Sequence, residues 1–434
     1  MKNLNYFSIF LLFIAVAFVG VWYSCNSGNN TPQKEDTTIN KDSTQVDTTQ
    51  TSEVQLQNET QPAQPTSAVF IFDSSVSMKG YLDCYNDSRF RGVTTYFINQ
   101  SKNEPSIYLY GKTEGNLITK SNFDSKLNTR NISWSDESNL KDMIGSMVKH
   151  IEHGEDISLL LTDGILSGSN AEIRNSPNRS YNIISRESME HELTNLLENE
   201  QGKLCALIVR YMAKFNGKYS CFNNDSKTLN NQERPFYIIA LGKWEYIKYL
   251  EQELNDLTNN APQPEDIVMI GDARSYEKIK LSAAKGLNTK GGKLRIKNEF
   301  KNESIQLSAD LKDLPSYMRN ENYMNSNIEL YITHKHQQEK RLDKNSYEIS
   351  IDSDNQKNIL RLDINSHALK NSKLTFKLKY ELPQWVEEKS DENDLDIKTN
   401  PTKLGKTFNL KYFTNGFKIL HKGKYIKEQS LEFE

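Results

Sequence analysis

The chain of 434 residues is long enough for two or three domains, each able to bury its own core. Its 54 Lys and Arg against 57 Asp and Glu leave a formal net charge of −3 with no polycationic signature, so nucleic acid is not an expected partner. Hydrophobic residues make up only 36%, and part of that deficit sits in a polar tract after residue 25.

In chain order, Lys2 precedes a charge-free apolar run from Tyr6 to Tyr23, the pattern of an export signal. The run ends in Ser24-Cys25, and Asn26-Ser27-Gly28-Asn29-Asn30 follow at once. A small residue before a cysteine at that point resembles a bacterial lipoprotein processing site, which implies cleavage and lipidation of Cys25. Trp22 and Tyr23 stand where small or aliphatic residues are usual, and the run is nearly long enough to span a bilayer. An uncleaved signal anchor (residues 1–25) is therefore the alternative. Both readings anchor the protein to a membrane of the cell envelope and put the rest of the chain outside the cytoplasm, as in an outer-membrane lipoprotein. Residues 26–66, rich in Thr, Gln, Asp, Asn and Ser, cannot form a core and read as a disordered polar tether. About forty flexible residues span roughly 35 Å on average.

Ordered pattern begins with AVFIFD at Ala68, a short apolar run suited to a strand buried on both faces. A helix over Ser88–Gln100 and a strand over Ser106–Gly111 follow. Leu140, Ile144, Met147, Val148 and Ile151 recur at helical spacing within Glu137–Glu152. DISLLLTDG is another buried strand, Ser185–Glu200 an amphipathic helix, LCALIVRYM and RPFYIIALG two more strands, KWEYIKYLEQELNDL a helix and DIVMIG a last strand. Alternating strands and helices imply a doubly wound α/β domain with a mostly parallel sheet over residues 67–275. From 276 to 434 the runs LRIKNEF, SIQLSADL, IELYITH, YEISIDS, ILRLDI, KLTFKLKYEL and FNLKYF are short and separated by turn residues. They suggest an antiparallel, immunoglobulin-like β-sandwich. Cys205 and Cys221 could pair in an oxidising compartment, leaving Cys84 over. Cys205 could equally be a small buried residue of its strand.

The chemistry concentrates directly after the first strand, in Asp73-Ser74-Ser75-Val76-Ser77-Met78-Lys79-Gly80. In an open α/β sheet, ligands bind at the carboxyl ends of the strands. A carboxylate and two hydroxyls spaced by two can turn inward there, and oxygen-only ligands suit Mg²⁺ or Mn²⁺ more than zinc. Asp-x-Ser-x-Ser in this place resembles the metal-ion-dependent adhesion site of von Willebrand factor A domains, a likeness covering about residues 67–275, roughly half of the chain. The resemblance implies an acidic ligand from a Thr-Asp-Gly loop, matched by Asp163 in Thr162-Asp163-Gly164. It also implies a threonine opening a helix; here Ser138 in Ser138-Asn139-Leu140 replaces it, with Asp136 as neighbouring candidate. In that family the ion keeps one open position, filled by a carboxylate of a protein partner. The alternative for Asp73 and Ser75 is that they only satisfy a turn.

Other motifs carry less. His334-Lys335-His336 would put two imidazoles on one strand face, with no third ligand visible, so a solvated face is favoured. Gly286-x-x-x-x-Gly291-Gly292-Lys293 lacks the setting and the Ser or Thr of a phosphate loop and reads as linker. The Lys-rich C-terminus reads as a solvated edge strand. Gly-x-Ser-x-Gly is missing and no nucleophile–base pair stands out. The expected function is non-enzymatic: divalent-metal-dependent protein–protein interaction on a membrane-anchored chain. A metal-dependent hydrolase and a structural scaffold of the envelope are the alternatives.

Overall fold

The structure is a computed structural model that describes residues 61–434 except 85–86, 137, 166–177, 222–224, 257–261, 272 and 353–357. The segment read as an export signal, Cys25 and the part of the expected tether up to residue 60 lie outside the described residues. Among those described, no helix is long and apolar enough to cross a membrane. Residues Glu59–Glu434 form one compact unit.

Seven strands build the first sheet: β1 (Ala68–Asp73), β2 (Ser106–Tyr110), β3 (Glu114–Ile118), β4 (Ile157–Thr162), β5 (Cys205–Ser220), β6 (Ser226–Gly242) and β7 (Asp266–Gly271), in the order β3-β2-β1-β4-β6-β5-β7. The sheet is mixed. β1 runs parallel to β2 and to β4, its two neighbours. The pairs β2–β3, β4–β6, β5–β6 and β5–β7 are antiparallel. The change of direction has a local cause, because LCALIVRYM does not stop but continues as strand to Ser220 and pairs with β6 over almost its whole length. Without a helical crossover between them, neighbouring strands run antiparallel.

Helices α1 (Val76–Leu82), α2 (Arg89–Ile98), α3 (Lys120–Thr129), α4 (Leu140–Glu152), α5 (Asn178–Leu197) and α6 (Trp244–Asn255) flank this sheet. Period-two alternation sorts β1 between two cores: Val69 and Ile71 join α4 and α5, while Phe70 and Phe72 join α1, α2, α3 and α6. Every residue of β1 and β4 is buried, which explains their unbroken apolar runs.

Beyond β7, two four-stranded antiparallel sheets form. One orders strands Tyr347–Asp352, Ile359–Asn365, Ser304–Asp310 and Ser282–Lys285; the other orders Lys340–Arg341, Ile328–His334, Ser372–Lys379 and Tyr425–Glu432. Alternate residues of both, such as Leu307, Leu362, Leu330 and Phe376, enter the same cluster as α4 and α5. A buried ion pair adds to this join. Lys248 Nζ lies 2.6 Å from Glu251 on α6 and donates to the Leu314 carbonyl, while Glu251 accepts from Ser316 N.

Several expectations need correction. FNLKYF is not a strand: pairing stops at Phe408, Asn409 takes a left-handed φ of 58°, and a helix runs over Leu410–Gly416. Leu410 and Phe413 at helical spacing are its buried face. Gly416 permits a close approach, since a Cβ there would stand 2.6 Å from Leu193 of α5. Cys205 and Cys221 are buried and not joined to each other. They sit at opposite ends of β5, on the order of 50 Å apart at strand rise, so they cannot bridge. His334 ends its strand and His336 turns away with φ 62°, so the two imidazoles share no strand face. The last residues of the stretch read as a tether are held by the folded body: Ala63 N donates to Glu245 O (3.2 Å) and Thr66 N to Asp156 Oδ2 (2.7 Å).

Candidate metal centre

Asp73 ends β1, and the parallel register sets it beside Tyr110 of β2 on one side and the end of β4 on the other. Three backbone bonds of 2.8 Å hold the following turn: Ser74 N to Tyr110 O, Val76 N to Ser135 O and Ser135 N to Ser74 O. The last two draw the loop before α4 alongside Ser75. Asn139 then caps α4, accepting from Asp142 N at 3.3 Å. Three loops thus meet at one sheet edge, although their residues are far apart in sequence.

Within this junction Asp73 Oδ1 accepts from Ser75 N (2.9 Å), and Oδ2 from the hydroxyls of Thr162 (2.8 Å) and Ser138 (3.3 Å). The Ser75 and Ser77 hydroxyls lie 3.0 Å apart. Asp163 Oδ1 accepts from Ile165 N at 3.0 Å. Asp163 Oδ2 is buried and has no hydrogen-bond partner. Asp73, Ser75, Ser77, Ser138 and Asp163 are all buried, and the structure brings these five together. Asp136, the neighbouring candidate, is solvent-exposed.

Two carboxylates in a dry place raise each other's cost of ionisation. Burial pushes the Asp73 carboxyl up, against the pull of its hydrogen bonds from Ser75, Thr162 and Ser138. Burial, and then the charge of Asp73, push Asp163 from 3.8 to about 7, with Ser77, Ile165 N and Arg234 pulling the other way. Among the described residues no three His, Cys, Asp or Glu side chains gather as a metal set. This donor set is instead two carboxylates completed by hydroxyls. All its donors are oxygen, which fits a hard divalent cation, Mg²⁺ or Mn²⁺, and a double positive charge would offset the desolvation of both carboxylates.

Three features escaped the sequence reading. Thr162 donates to Asp73 and accepts from Gly164 N at 3.1 Å, a role that the Thr-Asp-Gly motif by itself does not indicate. The second is Arg234, only 1% exposed, whose guanidinium donates to the carbonyls of Lys403 (3.2 Å), Leu404 (2.7 Å) and Lys406 (3.0 Å) and lies over the Tyr219 ring. The third is the segment those carbonyls belong to, a strap from the C-terminal region that reaches the site edge. Arg210 donates to Gly405 O (2.9 Å), and Thr407 Oγ1 is 2.8 Å from Tyr237 Oη. A Cβ on Gly164, next to Asp163, would meet Thr407 at 3.4 Å. A lone Arg in a strand otherwise read as apolar was the only available signal.

Scanned against protein-family models, curated proteins and solved structures, the chain matches none.

Proposed function

We propose that this is an exported, membrane-anchored binding protein in which Asp73, Ser75, Ser77, Ser138 and Asp163 hold Mg²⁺ or Mn²⁺ in the manner of a von Willebrand factor A domain. The ion's open position takes a carboxylate from a protein partner, and the C-terminal sheets form an immunoglobulin-like companion. The observation that carries this reading is Asp163 Oδ2, an acidic oxygen buried without a donor beside a second buried carboxylate. Buried polar atoms without partners are uncommon and costly, and a cation relieves this one. The Asp-x-Ser-x-Ser loop and the Thr-Asp-Gly turn support the same reading, since both converge on that oxygen's surroundings.

Isothermal titration of Mg²⁺ and of Mn²⁺ into the full chain and its Asp73→Ala variant tests it. Saturable binding of one ion to the parent chain, absent from the variant, is expected. Equal heats in both proteins, or none in either, would sink the proposal and leave the edge as a scaffold feature.

A further inference from the structure

The sheet has two ends with different neighbours. Asp73 and Thr162 mark the carboxyl edge of β1 and β4. At the opposite edge Ile157, Gly242, Cys205 and Gly271 are register partners across β4, β6, β5 and β7. The chain enters at that second edge, where Thr66 N and Ser67 N donate to Asp156, the residue before β4. It also leaves there, since β7 ends at Gly271. A six-residue strand at roughly 3.3 Å per residue separates the two edges by about 20 Å.

A strongly basic stretch starts soon after this exit. Between Lys278 and Lys301 stand eight Lys and Arg and one acid, Glu299, in a chain whose formal net charge is −3. Strands Leu287–Lys290 and Lys293–Ile296 form a hairpin around Gly291 and Gly292, so the glycine-rich run is a turn and not a linker. The register sets Lys290 directly opposite Lys293, with Arg295 on the same side of the hairpin, while Leu287 and Leu294 are buried on the other. Like charges facing each other across a strand pair oppose its pairing. Lys293 and Arg295 find only Glu432 at 3.5 Å and Glu434 at 3.8 Å, all four side chains at least 42% exposed. Lys290, Lys297 and Lys301 have no carboxylate ion-pair partner among the described residues.

We infer that this basic face docks on the anionic phospholipid headgroups of a membrane. The inference rests on the membrane-anchored reading above, because the tether is what holds the body near a bilayer at high effective concentration. Exposed Lys and Arg near an anionic surface are attracted individually, and together they choose which face turns inward.

The full chain is mixed with vesicles of phosphatidylcholine alone, or with about three in ten lipids replaced by phosphatidylglycerol, and its lysines are labelled with an amine reagent. Labelling of Lys285, Lys290, Lys293 and Lys297 should fall roughly threefold or more on the anionic vesicles and recover as salt rises from about 0.1 M to about 1 M. Exposed Lys79, which follows the Asp-x-Ser-x-Ser loop, should stay unchanged. In the triple variant Lys290→Glu, Lys293→Glu, Arg295→Glu, the protection of Lys285 and Lys297 should vanish. Equal labelling on both vesicle types overturns the inference. So does protection by soluble polyphosphate without protection by anionic vesicles, which would point to a soluble polyanion. If the chain fails to co-float with neutral vesicles, the anchor reading fails by itself; co-flotation with anionic vesicles would then still support the basic face, and none at all would overturn it.

Discussion

Two buried acids in this protein have opposite chemistry. Glu329, on a strand of the C-terminal sheets, has a side chain only 6% exposed, yet Lys379 lies 2.7 Å away and Arg341 3.3 Å away. Burial pushes its carboxyl up, but Lys379, Tyr331 and Arg341 prevail and hold it below the ordinary value. Asp163 at the α/β edge has a second carboxylate for a neighbour and one oxygen with no donor, and its carboxyl rises to about 7. The contrast teaches that burial alone makes no site. A satisfied buried charge is structural, whereas a buried carboxylate with one unpartnered oxygen beside a second carboxylate is what the proposed cation would relieve.

The same contrast runs through the strands. β1 and β4 are buried throughout, while Ser304–Asp310 and Ile359–Asn365 bury alternate residues only. The sharpest test of that difference is Phe72→Ala in β1, where the ring meets Phe90, Phe123 and Trp134. It should cost about 3–5 kcal/mol in chemical denaturation. A loss as small as that of a surface substitution would contradict a two-sided core.

Next in size comes Arg234→Met, which strands three strap carbonyls and uncovers Tyr219. A destabilisation of about 2–4 kcal/mol is expected, with the amides of residues 403–407 exchanging faster by hydrogen–deuterium exchange. Unchanged exchange would mean that the strap is held by its other contacts.

The titration of Asp163 supplies a third test, and its sign is definite. A carboxyl raised from 3.8 to about 7 binds its proton more tightly folded than unfolded. Its contribution to stability is therefore fully present below about pH 3.8 and lost as pH rises through about 7. Metal-free protein should lose melting temperature across that window from this group, and Mg²⁺ should restore it above pH 7, because the ion needs the ionised carboxylate. Asp163→Asn should flatten both responses. Glu329 contributes in the opposite direction, its stabilisation being lost as pH falls below its ordinary range, so Glu329→Gln should leave the neutral-pH response to Mg²⁺ intact. A Mg²⁺ response that ignored Asp163→Asn would break the comparison.

The smallest effect belongs to the solvated pairs. Lys293→Ala removes an ion pair of 3.5 Å between side chains 49% and 60% exposed. Its cost should stay below about 0.5 kcal/mol in the same denaturation assay. A larger loss would show that the hairpin depends on its charges for folding.

What could be read from residue order alone was local. The unbroken apolar runs AVFIF and ISLLL announced buried strands, helical spacing from Leu140 to Ile151 announced α4, and the loops after both strands held Asp73 and Asp163 where an α/β sheet places ligands. Alternation likewise marked most C-terminal strands. Tertiary structure decided what depends on distant neighbours. No local period distinguishes a strand that ends at Met212 from one that runs on to Ser220 and folds back as an antiparallel partner. FNLKYF alternates like a strand, yet α5 offers its Leu410 and Phe413 a helical docking face. Arg234 and Thr162 acquired their roles only when the strap and the first loop arrived, bringing carbonyls and a carboxylate within 3 Å or slightly more of them. Periodicity is a property of neighbours in sequence; the desolvation of the Asp73 and Asp163 carboxylates is set by whatever the fold packs around them.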